Sequence, residues 1–536
     1  MAKRFAVTFF IVLGSCLFLL AVFVIVLFLA PGLSIFGLRY IAGGSRVGNF
    51  ERQSVSEYLK INDNEFTGTF ILETNEIPVN IIFTEKWIYE VEYYEDFNGL
   101  TKSDIDYPSI SIDLDRNGSI VIKTDEFKKF VYESNSSKRY LNLYIPLAAT
   151  TGDTSEFRTS LTIDAGSSDI NFSKVENYDL RDAEFNLVKI KTTGKVTYDT
   201  HVYANTFDFE TDNSIFVKED RASIVDATNY YLKSTNGRIR IERAVEGDIE
   251  AETYNFDISL VSCKNLTATS NYGDVNSSKE GQKVNVSGLV TIKTKAGGVY
   301  LGDVLGEYGT SKITTGAGNV EIDKIENVEI TTTRGHIEIV SANEVKVSTN
   351  MGNVEIQEVL TSCNIETKRS KVNLGGRGMR INNPTVFSRL GRVNIASASG
   401  EVNIHTISSD INFTNYDSQN ITIVSGGELE ATGLSGKVKI TAAEDSSISF
   451  SDISDESSLE FGEKAKLVTI NALNDTVNDI RYIITGSKIE TYEDNGTGTF
   501  SKIVETNNTL SSMNGSGPLL EVKAPSAVIK IYFKAS

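Results

Sequence analysis

The chain has 536 residues, with 71 acidic side chains against 52 basic ones, a formal charge of −19 and an isoelectric point near 4.8. A nucleic-acid binder needs a basic footprint that displaces counterions, so this balance argues against DNA or RNA as a partner. It suits solubility, repulsion from anionic polymers or weak Ca²⁺ association. Three cysteines give no disulfide framework: Cys16 lies in an apolar run, and Cys263 and Cys363 read as buried apolar thiols.

The N-terminus comes first. After MAKR (1–4), the run from Phe5 to Ala30 carries no charge. As a helix it would be about 39 Å long, enough to cross a hydrocarbon core of about 30 Å. It is longer than a secretory apolar region of about 7–15 residues, and Pro31-Gly32 ends it. The expectation is a cytoplasmic tail over 1–4, a single transmembrane helix over 5–30, and residues 31–536 outside the cell. Lys3 and Arg4 on one side and Arg39 and Arg46 on the other leave the charge rule indecisive. Leu13-Gly14-Ser15-Cys16 resembles a lipobox in which Cys16 would be lipidated, but the apolar run that follows is unlike the polar start of a mature lipoprotein.

Residues 31–66 read as a stalk or linker. Residues 67–150 carry longer strands and a concentration of aromatics, with Trp87, Tyr89, Tyr93, Tyr94 and Phe97. A stack of strands exposes unpaired edges at its ends and needs covering there, so 67–150 is expected to be an N-terminal β cap. Residues 480–536, with RYIITG, KIETYED and AVIKIYF, are expected to be its C-terminal counterpart.

Between them, 151–479 keeps repeating G-x-V-x-I-like pentads. Examples are GNVEI (318–322), GHIEI (335–339), GNVEI (352–356), GRVNI (391–395), GEVNI (400–404) and GKVKI (436–440). Gly318, Gly335 and Gly352 are each 17 residues apart, and Val320, Ile337 and Val354, then Ile322, Ile339 and Ile356, follow in step. Ile325, Ala342 and Val359 form a further matching row, with one extra residue in the third unit. Alternation marks half-buried strands. The glycine at the pentad head suggests a tight turn needing positive φ. Three residues before the pentads stand Ser234, Thr253, Ser270, Thr294, Thr315, Thr332, Thr349, Thr367, Ser388, Ser397 and Thr406. One chemistry at one offset fits coils stacked at about 4.8 Å. No proline occurs between Pro146 and Pro384, as a fully bonded parallel ladder requires. The expected fold is therefore all-β: a single-stranded parallel β-solenoid with β caps at both ends, preceded by one N-terminal transmembrane helix. A β-sandwich is the alternative; it would show proline-punctuated Greek-key strands and no fixed-offset ladder.

TTGAGNVEI, TTTRGHIEI and STNMGNVEI, together with VNII after ETNEIP and the ending GSGPLLEVKAPSAVIKIYF, resemble the bacterial putative-adhesin family of β-strand-repeat proteins. The resemblance spans roughly 67–536. It implies a surface location and binding rather than a catalysed reaction.

Catalytic chemistry is sparse. His201, His336 and His405 are far apart in sequence, and His336 occupies the slot of Asn319 and Asn353 in neighbouring coils. RGHIE lacks the second glycine and paired aspartates of a pectin hydrolase. GGRGMR (375–380) lacks the end of a phosphate-binding loop, and no His/Cys spacing suits zinc. Glu321, Glu338 and Glu355 share one stacking position, where repulsion could invite a cation; a solvated polar face is the plainer reading. We expect no catalytic, cofactor or metal residues and no enzyme. The expected role is a membrane-anchored, surface-exposed module that binds cell-wall or matrix polymer or a surface protein. The alternatives are an envelope sensor or assembly scaffold for membrane proteins and, less favoured, a carbohydrate-active β-helix enzyme.

Overall fold

The structure, a computed structural model, describes residues 54–59, 69–74, 77–84, 88–95, 110–124, 139–146, 160–172, 183–198, 202–218, 229–306, 309–376, 378–453, 455–472, 481–494, 499–512 and 517–533. The chain forms two compact units, Met1–Asn213 and Ser214–Ser536.

The expected fold class needs a correction. The described residues form strands, turns and bends with no helix, and none is long and apolar enough to cross a membrane. The expected transmembrane helix over 5–30, the tail over 1–4, most of the linker and the lipobox at Cys16 lie outside the described residues. Among the described residues the fold is all-β, and no helix there supports the expected transmembrane one. An uncharged apolar run reports a need for burial, not a backbone conformation. The Phe, Val and Ile of that run suit strands as well as helices.

In the first unit, coils stack in parallel but not in chain order. Thr69–Glu73 lies between Ile120–Thr124 on one side and Leu161–Asp164 on the other. Val79–Thr84 likewise lies between Arg139–Pro146 and Ile170–Phe172. The earliest coil is thus inserted beneath a later one. Antiparallel strands then cover the outer coil: Tyr89–Glu95 pairs with Arg139–Pro146 and with Ser54–Leu59, and Ile110–Leu114 pairs with Ile120–Thr124. From Leu161–Asp164 the stack proceeds in order through Ala183–Thr192 to Val202–Thr211. Phe172, Tyr198, Phe207 and Phe209 fill this interior as a chain of ring contacts 4.8–5.6 Å apart.

The second unit is built on an aliphatic ladder. Val299, Val320, Ile337, Val354, Val372, Val393, Ile411 and Leu429 are register neighbours on successive coils. Ile292, Ile313, Ile330, Val347, Ile365, Val386, Ile404 and Ile423 form a second row. Ile325, Ala342 and Val359 form the third, and the register shift after Ala342 accommodates the extra residue of that coil. All point inward and are buried. Pro384 is tolerated because it opens its strand, Pro384–Ser388. At the far end the order is again swapped. The last strand, Leu519–Phe533, lies between Ser457–Phe461 and Leu467–Ala472 on one side and Arg481–Asp494 on the other. Phe500–Ser512 then pairs antiparallel with Arg481–Asp494.

Two sequence expectations about the pentads change. Gly318, Gly335 and Gly352 do not have positive φ. Their requirement is space: a Cβ on Gly318 would stand 1.8 Å from Gly297 O, and one on Gly352 would stand 1.6 Å from Gly335 O. Successive turns approach too closely for any side chain. GEVNI and GKVKI are not pentad heads but second strands of their coils, with Val386 facing Ile404 and Ile421 facing Val438. Ser397 accordingly leaves the hydroxyl row, in which Ser388 is followed by Thr406.

That row is buried and closes the turns. Thr315, Thr332 and Ser388 accept the backbone N–H of Gly318, Gly335 and Gly391 at 2.9, 3.0 and 3.1 Å. Thr253 reaches down a coil, donating Oγ1–H to Gly237 O at 3.0 Å. These hydroxyls therefore satisfy backbone groups where the chain turns the corner, Thr349 Oγ1 being an exception without a partner; Thr367 to Ser388, at 3.1 Å, is a direct link within the row.

Candidate functional site

Residues between the inward-facing ones form an outward ladder on the second unit. Tyr300, Glu321, Glu338, Glu355, Asn373, Asn394, Asn412, Glu430, Ser447 and Thr469 are consecutive register neighbours. The period of two forces this: each sits between two buried residues and faces the opposite side of the sheet. The three glutamates are thus brought into one column, as their spacing implied. Among the described residues, no group of three or more His, Cys, Asp or Glu side chains converges to hold a metal ion.

The ladder is organised by hydrogen bonds between coils. Asn394 donates Nδ2–H to Asn373 Oδ1 at 2.8 Å, and Ser259 and Asn276 are linked at 2.6 Å. Tyr300 folds back over Gly298, where a Cβ would stand 2.8 Å from its ring. Burial raises the Tyr300 hydroxyl pKa, with Asp274 and Glu321 adding to the shift. One residue before each outer strand, an Asx column ties coil to coil. Asp274 accepts Gly298 N–H at 2.6 Å, Asn319 accepts His336 N–H at 3.1 Å and Asp410 accepts Glu428 N–H at 3.1 Å. His336 thus fills a structural slot in this column. His405 packs edge-on against Phe387 on another strand, and His201 lies outside the described residues.

Toward the C-terminal part of the ladder the surface dips into a groove of about 480 Å³. Arg392, Asn394, Asp410, Asn412, Glu428 and Glu430 contribute to its walls, and Arg392 and Asp410 form an ion pair at 2.8 Å. A second depression of about 680 Å³ lies on another face, lined by Lys312, Asn327, Glu329, Glu344, Lys346 and Asn364. There Lys346 bonds Glu329 at 2.7 Å and holds its carboxyl below the usual range. Both are open and span consecutive coils; in the first, Arg392, Asp410 and Glu428 come from the turns just before the strands.

Sequence reading found the glutamate column but not the grooves. It also missed Tyr254 and Tyr272, which stand 55% and 61% exposed at turns. Their signal, an aromatic one or two residues past the hydroxyl row, becomes visible only once the row defines the turn. Cys263 and Cys363 are free and buried, and burial pushes both thiols up to about 12.

No protein-family model matches the chain, and no curated protein sequence matches it. Two solved structures are similar to it. One is a putative cell adhesion protein from Clostridium sporogenes, 8% identical, with a TM-score of 0.19, covering 57% of this chain and 99% of that one. The other is a putative adhesin from Bacteroides fragilis, 8% identical, with a TM-score of 0.21, covering 57% of this chain and 97% of that one. At these values the likeness carries no argument about function.

Proposed function

We propose that the chain is an adhesin-like binding module that works outside the cell and holds an extended polymer, of cell wall or matrix, along the outward ladder of its second unit. The observation that carries this reading is the groove over Asn394, Asn412 and Glu430. Outward amide and carboxylate groups repeat there once per coil, about 4.8 Å apart. A periodic row of donors and acceptors on a rigid sheet suits a ligand that is itself periodic. Each group contributes little alone, and the row contributes by repetition. Nothing in the reading requires a catalysed reaction.

The test is retention of glycans and wall fractions by the soluble chain, compared with the variant Asn394→Ala/Asn412→Ala/Glu430→Ala. These side chains are outward and only Asn394 gives up an inter-coil bond, to Asn373, so the thermal midpoint should fall only slightly while retention falls at least about tenfold, a change of about 1.4 kcal/mol. Equal retention by both proteins would remove the groove from the account.

A further inference from the structure

In a chain with 71 acids and 52 bases, the corner turns of six consecutive coils hold no carboxylate. These are 294–298, 315–319, 332–336, 349–353, 367–371 and 388–392. Three of these turns carry Arg334, Lys368, Arg369, Lys371, Arg389 and Arg392, all exposed. The turns are stacked directly on one another. Met351 N–H bonds Thr333 O at 3.1 Å, Arg369 N–H bonds Asn350 O at 2.9 Å and Leu390 N–H bonds Lys368 O at 3.0 Å. Acids resume on either side: Asp257 and Asp274 stand in the same column below, and Asp410 and Glu428 above.

Arg392 is paired with Asp410. Among the described residues, Arg334, Lys368, Arg369, Lys371 and Arg389 form no ion pair. The nearest carboxylate along the chain, Glu366, points outward from the strand that precedes Thr367. Five exposed cations lie within three coil steps, about 14 Å. Like charges so close repel one another and gain nothing structurally from being adjacent. Solubility does not require them either, since the net charge is already strongly negative.

We propose that this cationic corner binds an anionic polysaccharide, bearing carboxylate or sulfate groups, that runs across the coils. The proposal rests on the binding reading above and names the polymer class. Arg392 belongs both to the corner and to the groove wall, so one chain can cross from one to the other. The acidic remainder of the surface repels such a polymer and confines it to this strip. Because the polymer displaces counterions from itself and from the strip, affinity should fall steeply with salt.

The experiment measures binding of the full chain to heparin, polygalacturonate, neutral dextran and duplex DNA at increasing salt. One variant is Lys368→Glu/Arg369→Glu; Lys439→Glu, an exposed change on another strand, is the control. The expected result is that heparin, polygalacturonate or both bind and dextran does not. The double reversal should weaken binding at least tenfold and flatten its salt dependence, and the control should do neither. Heparin alone would assign sulfate, and polygalacturonate alone carboxylate. Binding unchanged by the double reversal, or no binding of either polysaccharide, would overturn the proposal. So would duplex DNA binding as tightly as the polysaccharides. If wall material were still retained and lost only in the groove variant, the binding reading would stand without this corner.

Discussion

A methyl group on Gly335 would lie 1.8 Å from the carbonyl oxygen of Gly318, one coil away. The contact is with backbone, so no rotamer change relieves it. Gly335→Ala should therefore cost about 2 kcal/mol or more, by forcing two coils apart. Gly376 offers the contrast: its nearest neighbour to a Cβ is 3.8 Å away and its φ is not positive. Gly376→Ala should stay within about 0.5 kcal/mol of the parent. Denaturant midpoints of the two variants check the pair.

Thr332 and Thr349 are equally buried, at 3% exposed, but bonded differently. Thr332 Oγ1 accepts Gly335 N–H at 3.0 Å, whereas Thr349 Oγ1 has no partner. Replacing Thr332 by Val keeps the shape and orphans a buried N–H, which costs about 1–3 kcal/mol. Thr349→Val removes an unsatisfied oxygen and should be neutral or stabilising. The thermal midpoint should fall for Thr332→Val and stay level or rise for Thr349→Val.

Ile337 is 0% exposed between Val320 and Val354, while Glu338 is its outward neighbour. Ile337→Asp places a charge in the ladder core and should cost several kcal/mol, on the order of 3 or more. Glu338→Lys should change stability by about 0.5 kcal/mol or less. Denaturant melts that ranked the two equally would contradict the face assignment.

Much of this was legible in the sequence because stacking turns neighbours in space into repeats in sequence. The rows through Val320, Ile337 and Val354 and through Ile325, Ala342 and Val359 follow from the 17-residue period alone. The glutamate column follows from them by alternation. What was not legible depends on contacts that leave no period. The strand order at each end is set by which edge the chain reaches first: Thr69–Glu73 slips beneath a later coil, and Leu519–Phe533 slips between two earlier ones. GEVNI looks like a pentad head, yet Gly400 has φ 75° within a long strand and makes no turn contact of the Gly335 kind. Local spelling does not distinguish a glycine that spares a neighbour's backbone from one that bends its own. The cationic corner needed the turns to be aligned before Arg334, Lys368 and Arg389 could be seen as one strip.

Acid should weaken the C-terminal end of the second unit first. Glu490, 7% exposed, bonds Lys488 at 2.6 Å, Lys502 at 2.9 Å and the Tyr492 hydroxyl at 2.7 Å. Lys488 and then Lys502 and Tyr492 lower its pKa to about 2. A carboxyl with a depressed folded pKa contributes stability that is complete above its unfolded value, near 4.5, and is lost as pH falls toward 2. The unfolding midpoint should fall between those limits, and Glu490→Gln should flatten that part of the profile. An identical slope in the variant would remove Glu490 from the explanation.

The account stands on one geometric claim, that outward residues of successive coils form a single in-register ladder. The most direct measurement is a spin-label distance between Tyr300→Cys and Asn412→Cys, which are six register steps apart. The pair is made in a Cys16→Ser background, and buried Cys263 and Cys363, with thiols raised to about 12, should not take the label. Stacked coils predict a backbone separation of about 29 Å with a narrow distribution. A distance well below that, or a broad distribution, would contradict the ladder and with it the groove and the corner built on it.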